Sequence, residues 1–186
     1  MKKIAVLLYV LIIPGLLYAQ DKPDWENPAV INKNTEPRRS TYTPYGSMEK
    51  AVKMGASSLR KSLNGKWKFR WSKKPSQRPV DVYQADYDVS SWGKIVVPGN
   101  WQTQGYGVPI YSNHPYTFKK DQPNVMSDPP AHYTSSNLRN PVGSYRRQFH
   151  IPEDWKDNRI FLHFAGVKSA MYVWINGEKV GYSQGG

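Results

Sequence analysis

Residues 170–184 read AMYVWINGEKVGYSQ, two short runs joined by Asn176-Gly177. Asn and Gly tolerate the positive φ that both central residues of a tight hairpin turn require, so this pair is a strong hairpin signal. The patterns upstream agree with a sheet protein. KWKFRW (66–71) alternates, with Trp67, Phe69 and Trp71 on one side and Lys66, Lys68 and Arg70 on the other. KIVVP (94–98) is a short apolar run stopped by Pro98. SYRRQFHI (144–151) puts Tyr145, Arg147, Phe149 and Ile151 on one face, and RIFLHFAG (159–166) groups Ile160, Leu162 and Phe164. No segment sustains a 3.6-residue period, and MEKAVKMGASS (48–58) has room for a helical turn or two at most. Short strands between long Pro/Gly-rich loops predict an all-β chain folded as a β-sandwich.

Two segments stand outside that pattern. Met1-Lys2-Lys3 is a basic start, Ile4 to Leu17 is an apolar run, and Ala19 is a small residue where a signal peptidase would cut. Residues 1–19 therefore read as a secretory signal peptide, too short and wrongly flanked for a spanning helix. The protein is expected in the periplasm or outside the cell, and with no Cys after the cut it is not a lipid-anchored lipoprotein. Residues 20–58 are rich in proline and lack a period, which predicts an extended arm lying on the surface of the domain that begins at residue 59.

The chain has 186 residues, no cysteine and a formal net charge of +12. Without cysteine there is no disulfide or thiolate chemistry, and stability must come from an apolar core. Such charge suits nucleic acid, anionic lipid or acidic glycan. The densest basic stretch, KSLNGKWKFRWSKK (61–74), alternates its cations with aromatics, which is the pattern of a strand with one solvated face. That reading, with the secretory signal, argues against a nucleic-acid partner.

The segment GNWQTQGYGVPIYSNHPY (99–116) contains no acid, lysine or arginine. Rings with neutral amides suit a sugar, whose C–H faces pack on aromatics and whose hydroxyls need uncharged donors and acceptors. The same composition also serves a loop that plugs the end of a sandwich, with rings buried and amides closing turns. Composition leaves both readings open.

Catalytic chemistry is sparse. A retaining glycosidase needs two carboxyls about 5–5.5 Å apart. Asp24, Glu26, Asp86, Asp88, Asp121 and Asp128 occur singly on loops and strand ends, and Glu153-Asp154 opens a turn. None has a context that would isolate it from water. His114, His132, His150 and His163 show no metal-ligand spacing.

Four blocks carry a resemblance: DWENP (24–28) with EPRRS (36–40), LNGKWKF (63–69), VVPGNWQTQGYGVPIYSN (96–113) and GVKSAMYVWINGEKVGYSQG (166–185). In this order they resemble the sugar-binding domain of lactase-type β-galactosidases of glycoside hydrolase family 2. The resemblance implies a jelly-roll (galactose-binding-like) β-sandwich whose last strands lie beyond Gly186, packed beside a catalytic (β/α)₈ barrel. It implies an enzyme that hydrolyses terminal β-galactosides with retention, forms homo-oligomers and uses magnesium and sodium. The catalytic glutamates and most metal ligands fall in later segments, so this chain is expected to hold no catalytic residue and no metal, and to be inactive alone. One residue carries over: Asn113, in the IYSN segment, contacts the galactosyl group at the rim of the active site. His114 beside it replaces a small apolar residue. Trp101 and Tyr106 then pack the loop that presents Asn113. The alternatives are a self-standing carbohydrate-binding module, or the neighbouring specificities β-glucuronidase and β-mannosidase. The DWENP arm and the IYSN loop favour galactosidase over both.

Overall fold

The computed structural model describes residues 22–109, 122–125 and 140–185. Six strands follow one another: β1 (Asn32–Lys33), β2 (Gly65–Ser72), β3 (Gly93–Val97), β4 (Val142–Arg146), β5 (Ala170–Ile175) and β6 (Glu178–Gln184). They form two antiparallel three-stranded sheets, ordered β1-β6-β5 and β3-β2-β4. The single described α-helix, α1 (Met48–Val52), is one turn long and is capped by Ser47, whose hydroxyl accepts from Lys50 N at 3.3 Å. The chain is therefore all-β, as its periodicities require. No described helix is long and apolar enough to cross a membrane.

The hairpin forms where Asn-Gly places it. Asn176 and Gly177 both have positive φ, 51° and 94°, and Ile175 pairs with Glu178 across the turn. A bulge between Val173 and Trp174 shifts the register of β5 against β6. Its centre is Tyr182, 1% exposed, whose ring lies 4.6 Å from that of Tyr172.

The arm contributes a strand as well as a covering. Asn32 and Lys33 pair with Ser183 and Tyr182, so β1 closes the outer edge of β6. Beyond the short strand, Gln184 N donates to Ile31 O, and the Gln184 amide donates to Val30 O.

In the second sheet, β2 is central. Lys68 faces both Lys94 of β3 and Arg146 of β4, and Phe69 faces Gly93 and Tyr145. Phe69 and Ile95 are each 1% exposed and anchor the apolar side. Further buried rings come from Trp92 and from Trp155, whose Nε1 donates to Ser58 O.

Two expectations are corrected. The strand expected at 144–151 occupies Val142–Arg146 instead. Its pairing with β2 ends at Lys68, and Arg147 turns aside to donate to the carbonyls of Leu63 and Asn64. The strand expected at 159–166 does not form. Ile160, Leu162 and Phe164 stay 36–45% exposed, because no described strand lies alongside to pair with them.

Candidate functional site

The charge-free loop leaves β3 at Pro98, and its first half is built against the second sheet. Trp101 starts a 3-10 turn over Gln102–Gln104, which ends at Gly105 with φ 89°. The Trp101 carbonyl accepts from both Gln104 N and Tyr106 N, each at 3.0 Å. This tight turn swings the Gln104 amide back to β3. Val96 N donates to Gln104 Oε1 at 2.7 Å, and Gln104 Nε2 donates to Val96 O at 3.0 Å. The Gln104 side chain thus takes the place of a neighbouring strand at Val96, on the side of β3 where no described strand pairs. Gly99 is required beneath it, since a Cβ there would stand 2.7 Å from Gln104 Nε2.

The two described rings of the loop face inward. Trp101 and Tyr106 pack on Phe69, with centroids 6.2 and 4.7 Å away, and Tyr145 covers a third side at 4.7 Å. Gly143 of β4 leaves room for Trp101, because a Cβ there would lie 2.7 Å from its ring. Gly107, with φ 70°, brings the backbone against the Trp71 ring. Of the two readings open for these rings, packing holds for Trp101 and Tyr106. Asn113 and His114, the carried-over position and its neighbour, lie outside the described residues, as do Tyr111 and Tyr116.

The candidate carboxylates are dispersed. Asp88 accepts from Ser90 N at 2.8 Å and from its hydroxyl at 2.9 Å, bonds that lower its pKa together with the nearby charge of Lys68. Glu26 accepts from Val125 N. Asp86, Glu153 and Asp154 are exposed. His150 and His163 are exposed too, and Asp121, Asp128 and His132 lie outside the described residues. Among the described residues, no three His, Cys, Asp or Glu side chains gather where a metal ion would bind.

Asp24 is the acid that sequence reasoning undervalued. It opens a 3-10 turn at Asp24–Glu26, and its side chain is 11% exposed. Oδ1 meets Lys33 Nζ at 2.6 Å; Oδ2 meets Lys179 Nζ and accepts from Tyr172 OH, both at 2.9 Å. The hydrogen bond from Lys33, then that from Lys179, hold its carboxyl well below the usual carboxylate range. Burial, with the same carboxylate beside it, pushes the Tyr172 phenol well above its ordinary value. Trp25 stands edge-on to Tyr172 at 5.5 Å, with the Arg78 guanidinium 4.7 Å from its centroid. A carboxylate saturated by two ammonium groups and a phenol is an anchor for the arm and a poor general acid. Its partners lie 9, 148 and 155 residues away, beyond the reach of any local pattern.

Two antiparallel sheets, with an uncharged aromatic loop closing one of them, define a small all-β domain. This chain belongs to the glycosyl hydrolases of family 2: residues 60–186 match the family's sugar binding domain. It is 40% identical over 159 residues to a β-galactosidase of Halalkalibacterium halodurans, covering 83% of this chain and 15% of that protein. A β-galactosidase of Psychromonas ingrahamii is 38% identical, over 87% of this chain and 14% of the relative. The large subunit of a Leuconostoc lactis β-galactosidase is 36% identical, over 86% and 26%. The chain thus spans about a seventh to a quarter of the length of these relatives.

Proposed function

We propose that this chain is the sugar-binding part of an exported β-galactosidase that hydrolyses terminal non-reducing β-D-galactosides. The observation that carries the reading is the similarity, at 36–40% identity over more than four fifths of the chain, to proteins named β-galactosidase. Trp101, Tyr106 and Gln104 are committed to packing and to β3, and the sugar contact in this loop is assigned to Asn113 on the family resemblance of the IYSN segment. On this reading catalysis, and any magnesium or sodium that serves it, falls to segments outside this chain.

The test follows the reading frame past Gly186 and assays the encoded protein on chromogenic β-galactosides, β-glucuronides and β-mannosides. Galactoside turnover by that protein is expected, with none by residues 20–186 alone. A neutral hydrogen bond is worth about 0.5–1.5 kcal/mol net, so Asn113→Ala is expected to lower kcat/KM for galactosides by about two- to tenfold. Unchanged kcat/KM would make Asn113 a turn residue, and preference for another glycoside would replace the galactosidase reading.

Export is expected to leave Gln20 as the first residue of the mature protein. N-terminal sequencing of periplasmic or secreted material checks this, and intact Met1 on protein from the cytoplasm refutes it.

A further inference from the structure

The outer face of the β3-β2-β4 sheet carries charge of one sign. Register places Lys94, Lys68 and Arg146 side by side across the three strands, with Lys66 and Arg70 flanking Lys68 along β2. The strands GKWKFRWS, GKIVV and VGSYR contain no acidic residue. Like charges directly opposite one another destabilise a sheet, so this row is not explained by the stability of the fold.

Two of the cations are held in place by neutral groups. Lys68 Nζ donates to Ser90 O at 3.0 Å, and the Arg146 guanidinium donates to Tyr87 O at 2.9 Å and to Ala85 O. The carbonyls orient the side chains without cancelling their charge, and both retain N–H groups beyond those bonds. Lys66, Arg70 and Lys94 are exposed. The carboxylate whose field reaches Lys68 is Asp88, and its oxygens are engaged by Ser90. Between the sheet and the loop at Val89 runs an open groove of about 460 Å³ lined by Lys66, Lys68, Arg146, Arg147 and Gln148.

We propose that this groove and face form a binding surface for an anionic polysaccharide, with sugar sulfate or carboxylate groups seated on the row of cations. The dimensions suit a glycan chain. Strand spacing makes the row about 10 Å wide, and Lys66 to Arg70 spans about 13 Å. The rings of β2, on which the bases of a single-stranded nucleic acid could stack, are not on this face: Trp67, Phe69 and Trp71 point to the opposite side of the strand. The surface is distinct from the loop that leads to Asn113, and the proposal does not depend on galactoside turnover.

The test measures binding of fluorescent dextran sulfate and polygalacturonate to the full chain by anisotropy, beside neutral dextran and a single-stranded oligonucleotide of equal charge. Dextran sulfate, polygalacturonate or both are expected to bind and to weaken as salt rises, since each seated anionic group releases counterions. Neutral dextran is expected not to bind. The triple variant Lys66→Glu/Arg70→Glu/Lys94→Glu is expected to lose at least about tenfold in affinity with an unchanged circular dichroism spectrum. Lys50→Glu/Lys73→Glu/Lys156→Glu, which changes net charge equally elsewhere, should retain binding. Equal losses in the two triples would reduce the effect to net charge and overturn the proposal. Tighter binding of the oligonucleotide would assign the face to nucleic acid. A sedimentation shift caused by the first triple alone would assign it to a second copy of the chain. Failure of both acidic glycans to bind at about 0.15 M salt, where charges are screened beyond about 8 Å, would overturn it as well.

Discussion

Phe69→Ala is expected to cost about 3–5 kcal/mol, the range for emptying a fully packed aromatic site. The buried apolar side chains among the described residues are Phe69, Ile95, Trp92, Trp155 and Tyr182. Phe69 is the one that Trp101, Tyr106 and Tyr145 all meet. Its removal leaves two loop rings without a floor, and relaxation cannot fill the gap because β2 is fixed by strands on both sides. Domains of this size are stable by only about 5–15 kcal/mol, so the variant should unfold at much lower denaturant, or fail to fold. Urea titration followed by tryptophan fluorescence measures the shift in midpoint. Phe69→Leu should recover most of it. Val80→Ala, at a residue 63% exposed, should move stability by less than about 0.5 kcal/mol. A Phe69→Ala midpoint equal to that of Val80→Ala would show that the loop does not lean on this ring.

The second large effect concerns the arm. Asp24→Ala is expected to cost about 2–3 kcal/mol, because it strips the acceptor from a phenol and two ammonium groups that then repel one another. Lys33 and Lys179 are about half exposed, and solvent screening keeps the figure below that of a buried pair. The depressed carboxyl sets the pH dependence. Its stabilisation is fully present above the unfolded value near 3.8 and is lost as pH falls through the folded value. The raised Tyr172 phenol acts at the other end: its stabilisation is full below the unfolded value near 10.0 and is lost as pH rises beyond it. Asp24→Asn should flatten the acid limb of the stability curve and Tyr172→Phe the alkaline limb. Urea midpoints from pH 2 to 11 read both (with carboxylates and phenols titrating near the ends of that range). Limited proteolysis should cut after Lys33 sooner in Asp24→Ala, since β1 pairs with β6 through two residues alone. Limbs unchanged by both substitutions would remove Asp24 from the stability of the arm.

Where the signal was local, the fold could be read in advance. Asn176-Gly177 located its own turn, and the alternation of 66–71 sorted cations from rings on the two faces of β2. Pairing was harder. The alternation of Ile160, Leu162 and Phe164 states which side of a strand would be buried, but a strand also needs a neighbour, and no described segment supplies one. For 144–151 the periodicity had no means of showing that the partner's pairing stops at Lys68, where Arg147 hooks onto Leu63 and Asn64. In the candidate site, aromatic content left packing and sugar contact both open, and the structure shows packing for Trp101 and Tyr106. The role of Gln104 was invisible, because a glutamine that serves a strand edge looks in sequence like one that serves a ligand. Asp24 was hidden for another reason: its charge is answered by residues far along the chain.

The amide of Gln104 occupies the place where a further strand would dock on β3. An extended peptide approaching that side finds both polar groups of Val96 already taken. Strand addition at Val96 is therefore opposed by the Gln104 side chain, while Tyr106 OH approaches the carbonyl of Lys94 on the same strand. The guard depends on an amide's two-sidedness: it must accept from one atom and donate to the other at once. A carboxylate of the same length accepts only. Conversion of this one glutamine to glutamate, by mutation or by slow hydrolysis as the protein ages, would release the Val96 carbonyl and set a negative charge beside it. At Val96, the protection of this edge against an incoming strand rests on one amide nitrogen.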